Sequence, residues 1–137
     1  MTDDANMTAN DLAKAIIKLA TDKRVMLVLA ESCTGGMIAA ALTDIAGSSA
    51  VLDRGLVTYS NQAKQDLLGV SDEILASHGA VAAETAIAMT TGALLKTPLA
   101  TLAASVTGIA GPRRRQRRQT CWACAFCLSV ARQTSDS

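Results

Sequence analysis

One segment constrains the fold of this chain more than any other: a short apolar run that leads directly into a glycine turn. Residues 25–30 are continuously apolar, which is typical of a strand that is buried on both faces of a sheet. The turn Glu-Ser-Cys-Thr-Gly-Gly follows at 31–36, and the alanine-rich segment 37–45 favours a helix. A strand, a turn and a helix in this order begin a βα unit, and ligands bind at the carboxyl ends of such strands.

Helical and strand-like segments alternate through the rest of the first 112 residues. The apolar spacing from Leu12 to Ala20 predicts a helix that is capped by Thr8 or Asn10. Further helices are predicted after the caps Asn61 and Ser71 and over 83–96, and further strands over 52–60 and 99–106. This alternation predicts the α/β class, with a mixed or largely parallel sheet that is flanked by helices.

The composition predicts one domain and no membrane segment. With 137 residues, half of them apolar and 2% aromatic, the chain can bury one core of aliphatic side chains. A charged residue or a glycine interrupts each apolar stretch before it reaches the length of a bilayer span. The acidic amino terminus does not resemble a signal peptide, so we expect a cytoplasmic location and no membrane partner.

Charge and cysteine content change abruptly at Pro112. Residues 1–112 contain 7 Lys and Arg against 11 Asp and Glu, whereas residues 113–137 contain 6 Arg against 1 Asp. Five of these arginines lie within 113–118, and three of the four cysteines are in the same tail. A run of this kind is usually solvated and lacks fixed structure. We therefore predict a folded domain over 8–112 and a disordered tail over 113–137.

Two functional interpretations of the tail are weighed against disorder. Its arginines could bind nucleic acid through the phosphates, and Cys121, Cys124 and Cys127 could ligate a metal ion. Structural zinc takes four protein ligands, and only three thiols have this spacing. No packed element obviously follows the arginine run, so we expect neither a nucleic-acid partner nor a metal site.

Ser32 is the first candidate for chemistry, because it lies one residue beyond the buried strand. Backbone N–H groups in a turn before a helix favour an anion or a developing oxyanion. Ser32 is therefore either a nucleophile or an ordinary N-cap of the following helix, and Thr34 can serve as the cap instead. The glycines alone are a weak indication of phosphate binding, because neither the P-loop nor the dinucleotide-binding pattern is present.

A serine nucleophile needs a base, and the chain offers few. His78 is the single histidine and lies beside Gly79, where a role at a helix end is favoured over catalysis. A lysine acts as a base when burial or a neighbouring charge lowers its pKa, which makes Lys64 a candidate, with Tyr59 beside it. From position alone, Lys64 is more often a solvated surface lysine and Tyr59 a filler of the sheet.

These residues lie in five motifs that follow one another along the chain. They are Ala-Glu-Ser-Cys-Thr-Gly-Gly at 30–36, Gly-Leu-Val-Thr-Tyr-Ser-Asn-Gln-Ala-Lys at 55–64, Leu-Leu-Gly-Val at 67–70, His-Gly-Ala-Val at 78–81 and Val-Thr-Gly-Ile-Ala-Gly-Pro at 106–112. In this order and register they resemble the CinA C-terminal domain family, which includes nicotinamide-nucleotide amidases. The resemblance covers nearly all of residues 8–112 and implies a three-layer α/β fold.

The resemblance also implies an activity and a site. The activity is hydrolysis of the carboxamide of nicotinamide mononucleotide to nicotinate mononucleotide and ammonia, without a cofactor or a metal. The implied catalytic set is Ser32, Tyr59 and Lys64, and the implied substrate-binding residues are Thr34, Gly35, Gly36, Thr107, Gly108 and Gly111. It further implies a homo-oligomer, a dimer, with a pyridine nucleotide as its small-molecule partner. The alternative is a non-catalytic nucleotide-binding or interaction module related to competence or DNA damage.

The tail departs from this family pattern directly after Pro112. Family members continue with a glycine-rich loop and Lys-Pro-Val-Gly. A set of codons can be chosen that encodes the arginine run and the residues after it and that, read one base later, encodes Gly-Gly-Gly-Ser-Ala-Asp-Lys-Pro-Val-Gly. We hypothesise that residues 113–137 are the out-of-frame remnant of the family segment. Because a lost core strand leaves backbone groups unpaired, we also expect low stability and weak activity.

Sequencing of the gene around codon 112 tests the frame hypothesis. We expect a family-like reading frame one base away from the frame that encodes 113–137. A gene without such a frame would contradict the hypothesis and would favour a tail with a role of its own.

Overall fold

The computed structural model describes residues 6–109 and the strand Cys124–Val130, of which only the backbone is described. Five α-helices and four strands follow one another along the described chain. They are α1 (Ala9–Lys23), β1 (Leu27–Glu31), α2 (Met37–Thr43), β2 (Leu52–Val57), α3 (Asn61–Leu68), α4 (Asp72–His78), α5 (Ala83–Lys96), β3 (Leu102–Gly108) and β4 (Cys124–Val130), with a short 3-10 turn at Ser48–Ala50. None of the helices in the described ranges has the length and apolar character that crossing a bilayer requires.

The strands form one mixed sheet in the order β2-β1-β3-β4. β1 pairs in parallel with β2 and with β3, and it is buried along its whole length. A strand between two parallel neighbours, with helices on both faces, can carry an uninterrupted apolar sequence, and residues 25–30 have one. The predicted α/β class with a largely parallel sheet is confirmed.

Two apolar clusters lie on opposite faces of the sheet and form the core. One contains Val28 and Ala30 of β1 and packs against α3, α4 and α5 through Leu68, Leu75 and Met89. The other contains Leu27 and Leu29 and packs against α1 and α2 through Ile17 and Leu42. Side chains of a strand point alternately to its two faces, so the single run in β1 supplies both clusters. The three layers predicted from the resemblance are present.

The observed elements differ from the sequence predictions at several ends: α2 ends at Thr43 and not at residue 45, and β2 ends at Val57 and not at residue 60. Thr8 caps α1 in a capping box with Asp11, as one of the two predicted caps. The cap of α3 is Ser60, whose side chain accepts a hydrogen bond from the N–H of Ala63, and not Asn61 as predicted. β3 begins at Leu102 and not at residue 99, because the N–H of Ala100 bonds back to the carbonyl of Thr97 in a turn.

The predicted disorder of the tail is wrong for Cys124–Val130. This segment forms β4 and pairs antiparallel with the whole of β3, from Leu102 opposite Val130 to Gly108 opposite Cys124. Its sequence is almost entirely apolar, which suits a strand, and β3 offers an edge that no other described strand occupies. The arginine run at 113–118 and Cys121 lie outside the described residues.

Within the described part of the chain, β3 is not fully covered on the side of α1 and α2. A cavity of about 430 Å³ lies there, with Ile16 and Leu19 of α1 on one wall and Leu102, Ala104 and Val106 of β3 on its floor. Leu19 is 56% exposed, so α1 presents apolar side chains to this cavity beyond those that it buries in the core. Glu31 borders the same cavity.

A glycine brings α3 and α5 into close contact. A Cβ atom on Gly92 of α5 would lie 1.8 Å from the carbonyl oxygen of Leu68, the last residue of α3. No side chain fits at that distance, so the crossing of the two helices depends on the glycine. The first turn of α3 carries Lys64, and Gly92 therefore helps to fix the position of that lysine.

Replacement of Gly92 by alanine is expected to destabilise the protein. An alanine in a helix is normally more stable than a glycine by about 0.5–1 kcal/mol, but here overpacking is expected to reverse the sign and lower the free energy of unfolding by about 1–3 kcal/mol. Chemical denaturation of Gly92→Ala measures this, with Thr91→Ala on the exposed side of the same helix as the control. A Gly92→Ala variant as stable as the control would contradict the close contact.

Candidate active site

Ser32 lies directly beyond the carboxyl end of β1, where its backbone still belongs to the sheet. Its N–H donates to the carbonyl of Val106 at 2.9 Å and so extends the parallel pairing between β1 and β3 by one residue. The residue is 5% exposed. Strand pairing therefore fixes the backbone of Ser32 while its hydroxyl stays at the edge of the sheet, at the end where ligands bind in α/β folds.

Lys64 meets Ser32 from the first turn of α3. Its ammonium nitrogen Nζ donates to Ser32 Oγ at 3.0 Å and to the carbonyl of Thr58 at 2.9 Å, and the residue is 1% exposed. The cap at Ser60 starts α3 only three residues after β2 ends, which turns the lysine back over the end of the sheet. The structure thus brings together the predicted nucleophile and base, and Lys64 is not the surface lysine that its position alone would suggest.

Burial changes the acid–base properties of this lysine. Desolvation lowers the pKa of the Lys64 ammonium, and the electrostatic contribution of the neighbouring Cys33 opposes this more weakly. A lysine with a lowered pKa carries more of the neutral amine near neutral pH, and only the neutral amine can accept a proton. The contact with Ser32 Oγ and this shift together give the geometry and the chemistry of a base beside a nucleophile.

The turn after Ser32 is held in a conformation that needs glycine. Gly35 and Gly36 have φ values of 60° and 101°, in the left-handed region. The N–H of Gly35 donates to the carbonyl of Ser32, and that of Met37 to the carbonyl of Thr34. The N–H groups of Thr34 and Gly36 have no hydrogen-bond partner in the described part of the chain, so they are available to an anionic oxygen.

Neither Ser32 nor Thr34 caps α2. The N-cap is Gly36, which provides no side-chain hydrogen bond, and Thr34 Oγ1 is buried without a partner among the described residues. Ser32 therefore does not have the capping role that was the alternative to a role as nucleophile. The hydroxyl of Ser32 is bonded to Lys64 instead.

Sequence reasoning missed Glu31, which supplies the acceptors for the start of α2. Its Oε1 accepts from the N–H of Ile38 and its Oε2 from the N–H of Ala39, both at 3.0 Å. The residue is 1% exposed. Its signal was present in the sequence: the predicted strand ends on a carboxylate, and the helix after it begins with two glycines in place of a capping side chain.

The remaining predicted residues lie around this pair with different contacts. Tyr59 is 70% exposed, and its hydroxyl bonds to no described residue, so a proton relay through it is not formed here. Thr107 Oγ1 donates to the carbonyl of Ala80 at 2.6 Å and ties the 79–82 loop to the end of β3, and Gly108 is the last residue of that strand. Gly111 lies outside the described residues.

The other candidates from the sequence are His78 and the cysteines of the tail. His78 ends α4, and its Nδ1 lies 3.8 Å from Glu84 Oε2. Among the described residues, no group of three or more His, Cys, Asp or Glu side chains is arranged to hold a metal ion. The side chains of Cys124 and Cys127 are not among those described, and Cys121 lies outside the described residues.

Comparison with known proteins identifies the family of this chain. The family model of the CinA C-terminal domain matches residues 9–136. This chain belongs to the CinA C-terminal domain family. The match to the CinA C-terminal domain continues beyond Pro112 and includes β4, while the domain boundary at 112 stays a prediction.

The relatives of this chain include competence-damage inducible proteins and nicotinamide-nucleotide amidohydrolases. The chain is 50% identical over 101 residues to a putative competence-damage inducible protein of Caldicellulosiruptor bescii, covering 74% of this chain but 24% of that protein. It is 42% identical over 132 residues to the nicotinamide-nucleotide amidohydrolase PncC of Escherichia coli, covering 96% of this chain and 78% of PncC. The chain therefore spans about a quarter of the first relative and most of the second.

A solved structure of the same superfamily has the same fold. The competence/damage inducible protein CihA from Agrobacterium tumefaciens superposes with a TM-score of 0.73 and is 55% identical, over 77% of this chain and 63% of that one.

The buried lysine predicts a specific dependence of stability on pH. Between its lowered pKa in the native state and its ordinary value of about 10.4, Lys64 is neutral when folded and protonated when unfolded. The unfolded state then binds more protons, so the free energy of unfolding rises with pH across this window. In Lys64→Met this rise is expected to disappear.

Urea denaturation at a series of pH values from 7 to about 10 measures this effect. Lys14→Met removes an exposed lysine of α1 and is the matched control, which should keep the slope of the parent protein. A slope that survives in Lys64→Met would show that Lys64 does not titrate with a lowered pKa.

Proposed function

We propose that this chain is an amidohydrolase that converts nicotinamide mononucleotide and water to nicotinate mononucleotide and ammonia. The observation that carries the proposal is the buried Lys64 Nζ, 3.0 Å from Ser32 Oγ at the carboxyl end of the central strand. A buried amine of lowered pKa that is hydrogen-bonded to a serine hydroxyl suits acyl transfer. The similarity to PncC, named a nicotinamide-nucleotide amidohydrolase, supports the choice of substrate.

The proposed reaction begins with transfer of the Ser32 hydroxyl proton to neutral Lys64. Ser32 Oγ then forms a bond to the carboxamide carbon, and the N–H groups of Thr34 and Gly36 stabilise the negative oxygen. Lys64 returns the proton to the amide nitrogen, the C–N bond breaks and ammonia leaves. Water attacks the resulting acyl-serine while Lys64 accepts its proton. When the acyl–oxygen bond breaks, Lys64 returns that proton to Ser32 Oγ, and the released acid ionises to the carboxylate.

The other predicted residues have roles in binding under this proposal. The exposed ring of Tyr59 lies next to Thr58, whose carbonyl holds Lys64, so Tyr59 is suited to contact the substrate at the rim of the site. Thr34, Gly35, Gly36, Thr107 and Gly108 contact the nucleotide under this proposal, and Gly111, which lies outside the described residues, keeps its predicted role in binding. We further propose that the protein acts in the cytoplasm as a homodimer and that its substrate is a free nucleotide.

A second candidate function is a non-catalytic nucleotide-binding module. It is favoured by the first relative, a competence-damage inducible protein of which this chain matches only 24%. A domain within a longer protein can bind a nucleotide and transmit its presence to other domains without turnover. Both functions place the nucleotide at Ser32, and they differ in whether ammonia is released.

Replacement of Ser32 by alanine separates the two functions. With nicotinamide mononucleotide as substrate, we expect ammonia release by the parent protein and a loss of at least about 1000-fold in Ser32→Ala, because the acyl intermediate cannot form. The matched control is Ser49→Ala, an exposed serine outside the site, which should keep full activity.

The readout is ammonia from a coupled assay, with nucleotide binding measured by calorimetry on the same samples. Ammonia release that persists in Ser32→Ala would overturn Ser32 as nucleophile. Binding by the parent protein without any ammonia release would favour the module.

A further inference from the structure

We propose that Glu31 is a positioning residue of this site: its carboxylate holds the start of α2 against the end of β1 and thereby sets the oxyanion-binding turn beside Ser32. The proposal deepens the proposed amidohydrolase function and rests on it for the readout in turnover. Glu31 makes no contact with the reacting atoms and is assigned no part in proton transfer.

The contacts of Glu31 are those of an anchor. Both carboxylate oxygens are used, one by the N–H of Ile38 and one by the N–H of Ala39. The residue is 1% exposed and forms no ion pair with any described residue. A buried carboxylate without a cation is costly unless hydrogen bonds compensate for lost water, so both N–H groups and the positive end of the helix are needed to keep it there.

α2 lacks a capping side chain of its own, as does the longer helix α5, which begins after Ala82. Thr8, Ser60 and Ser71 cap α1, α3 and α4 with their own side chains. α2 begins after Gly36, which has none, and it is only seven residues long. A short helix without a local cap has little stability of its own, so the carboxylate of the preceding strand determines where it starts.

The backbone of Glu31 is held firmly in the sheet, so its side chain can fix the position of the start of α2. Its backbone pairs with Val57 on one side and Val106 on the other, and its carbonyl accepts from the N–H of Thr58 at 2.8 Å. Its side chain reaches forward to residues seven and eight positions later. The five residues from Ser32 to Gly36 are therefore closed into a loop whose two ends are joined through one side chain.

That loop contains the N–H groups that would meet the negative oxygen of the tetrahedral intermediate. Loss of the anchor would let the start of α2 move. The N–H groups of Thr34 and Gly36 would then be displaced relative to Ser32 Oγ. The contact between Ser32 and Lys64 would survive, because Lys64 is carried by α3 and held by Thr58. Glu31 therefore affects stabilisation of the oxyanion and leaves the base unchanged.

The test compares Glu31→Gln with Asp11→Asn. Each replaces a helix-capping carboxylate by an amide of the same shape, and Asp11 caps α1 together with Thr8, far from Ser32 in the chain. In Glu31→Gln the amide NH2 group faces an N–H donor and cannot accept from it. Turnover of nicotinamide mononucleotide, its pH profile, and the rate at which a fluorophosphonate probe labels Ser32 are measured for both variants and the parent protein.

For Glu31→Gln we expect kcat per folded molecule to fall about 10- to 100-fold, as displacement of a catalytic group by about 1 Å produces. The KM and the pH midpoint that reports Lys64 should stay unchanged, and labelling of Ser32 should slow in parallel with kcat. Asp11→Asn should lower the melting temperature without any of these changes. This pattern would support a positioning role.

Several outcomes would overturn the proposal. An unchanged kcat per folded molecule would reduce Glu31 to a structural cap, and a shifted pH midpoint would show that it acts on Lys64. If the parent protein releases no ammonia, the proposed function fails. Amide hydrogen exchange then tests separately whether Glu31 anchors the start of α2. Faster exchange over residues 32–39 in Glu31→Gln than in Asp11→Asn supports the anchor, and equal exchange refutes it.

Discussion

The site depends on one contact, the hydrogen bond between a buried lysine and a serine at the end of the central strand. A lysine amine is removed from water only where surrounding packing is rigid enough to hold it, because desolvation favours its neutral form and penalises its charged one. Here the hydroxyl of Ser32 and the carbonyl of Thr58 replace part of its hydration. The same burial that costs stability at neutral pH makes the amine a base.

Several features distant in sequence hold this contact in place. The parallel pairing of β1 with β2 and β3 fixes Ser32 from one side, and the cap at Ser60 starts α3 at the right residue to carry Lys64 back over the sheet. The close crossing at Gly92 presses α5 onto the end of α3. Neither Ser60 nor Gly92 is assigned a contact with the reacting atoms, yet each reduces the freedom of Lys64, which has one.

Much of this arrangement is predictable from the sequence, and what is not predictable has identifiable causes. The strand β1, the helix α5 and the pairing of Ser32 with Lys64 follow from an apolar run, a regular helical segment and a family resemblance. The cap at Ser60 was assigned to its neighbour, because Ser and Asn are nearly equal as caps and only tertiary geometry distinguishes them. β4 was missed because the arginines before it dominated the composition of the tail, while a free sheet edge selected the apolar segment behind them.

The alternation of side chains along β1 predicts the position of Glu31. Leu27 and Leu29 face α1 and α2, while Val28 and Ala30 face α3 and α5. Continued by one step, the alternation sends Glu31 to the face of α2 and Ser32 to the face of α3, and both are found there. Two adjacent residues thus serve opposite layers: Ser32 meets the base that α3 supplies, and Glu31 holds the helix that follows the oxyanion turn. A one-residue shift of this strand would exchange these faces and separate both contacts at once, so the register of β1 determines the site as well as the core.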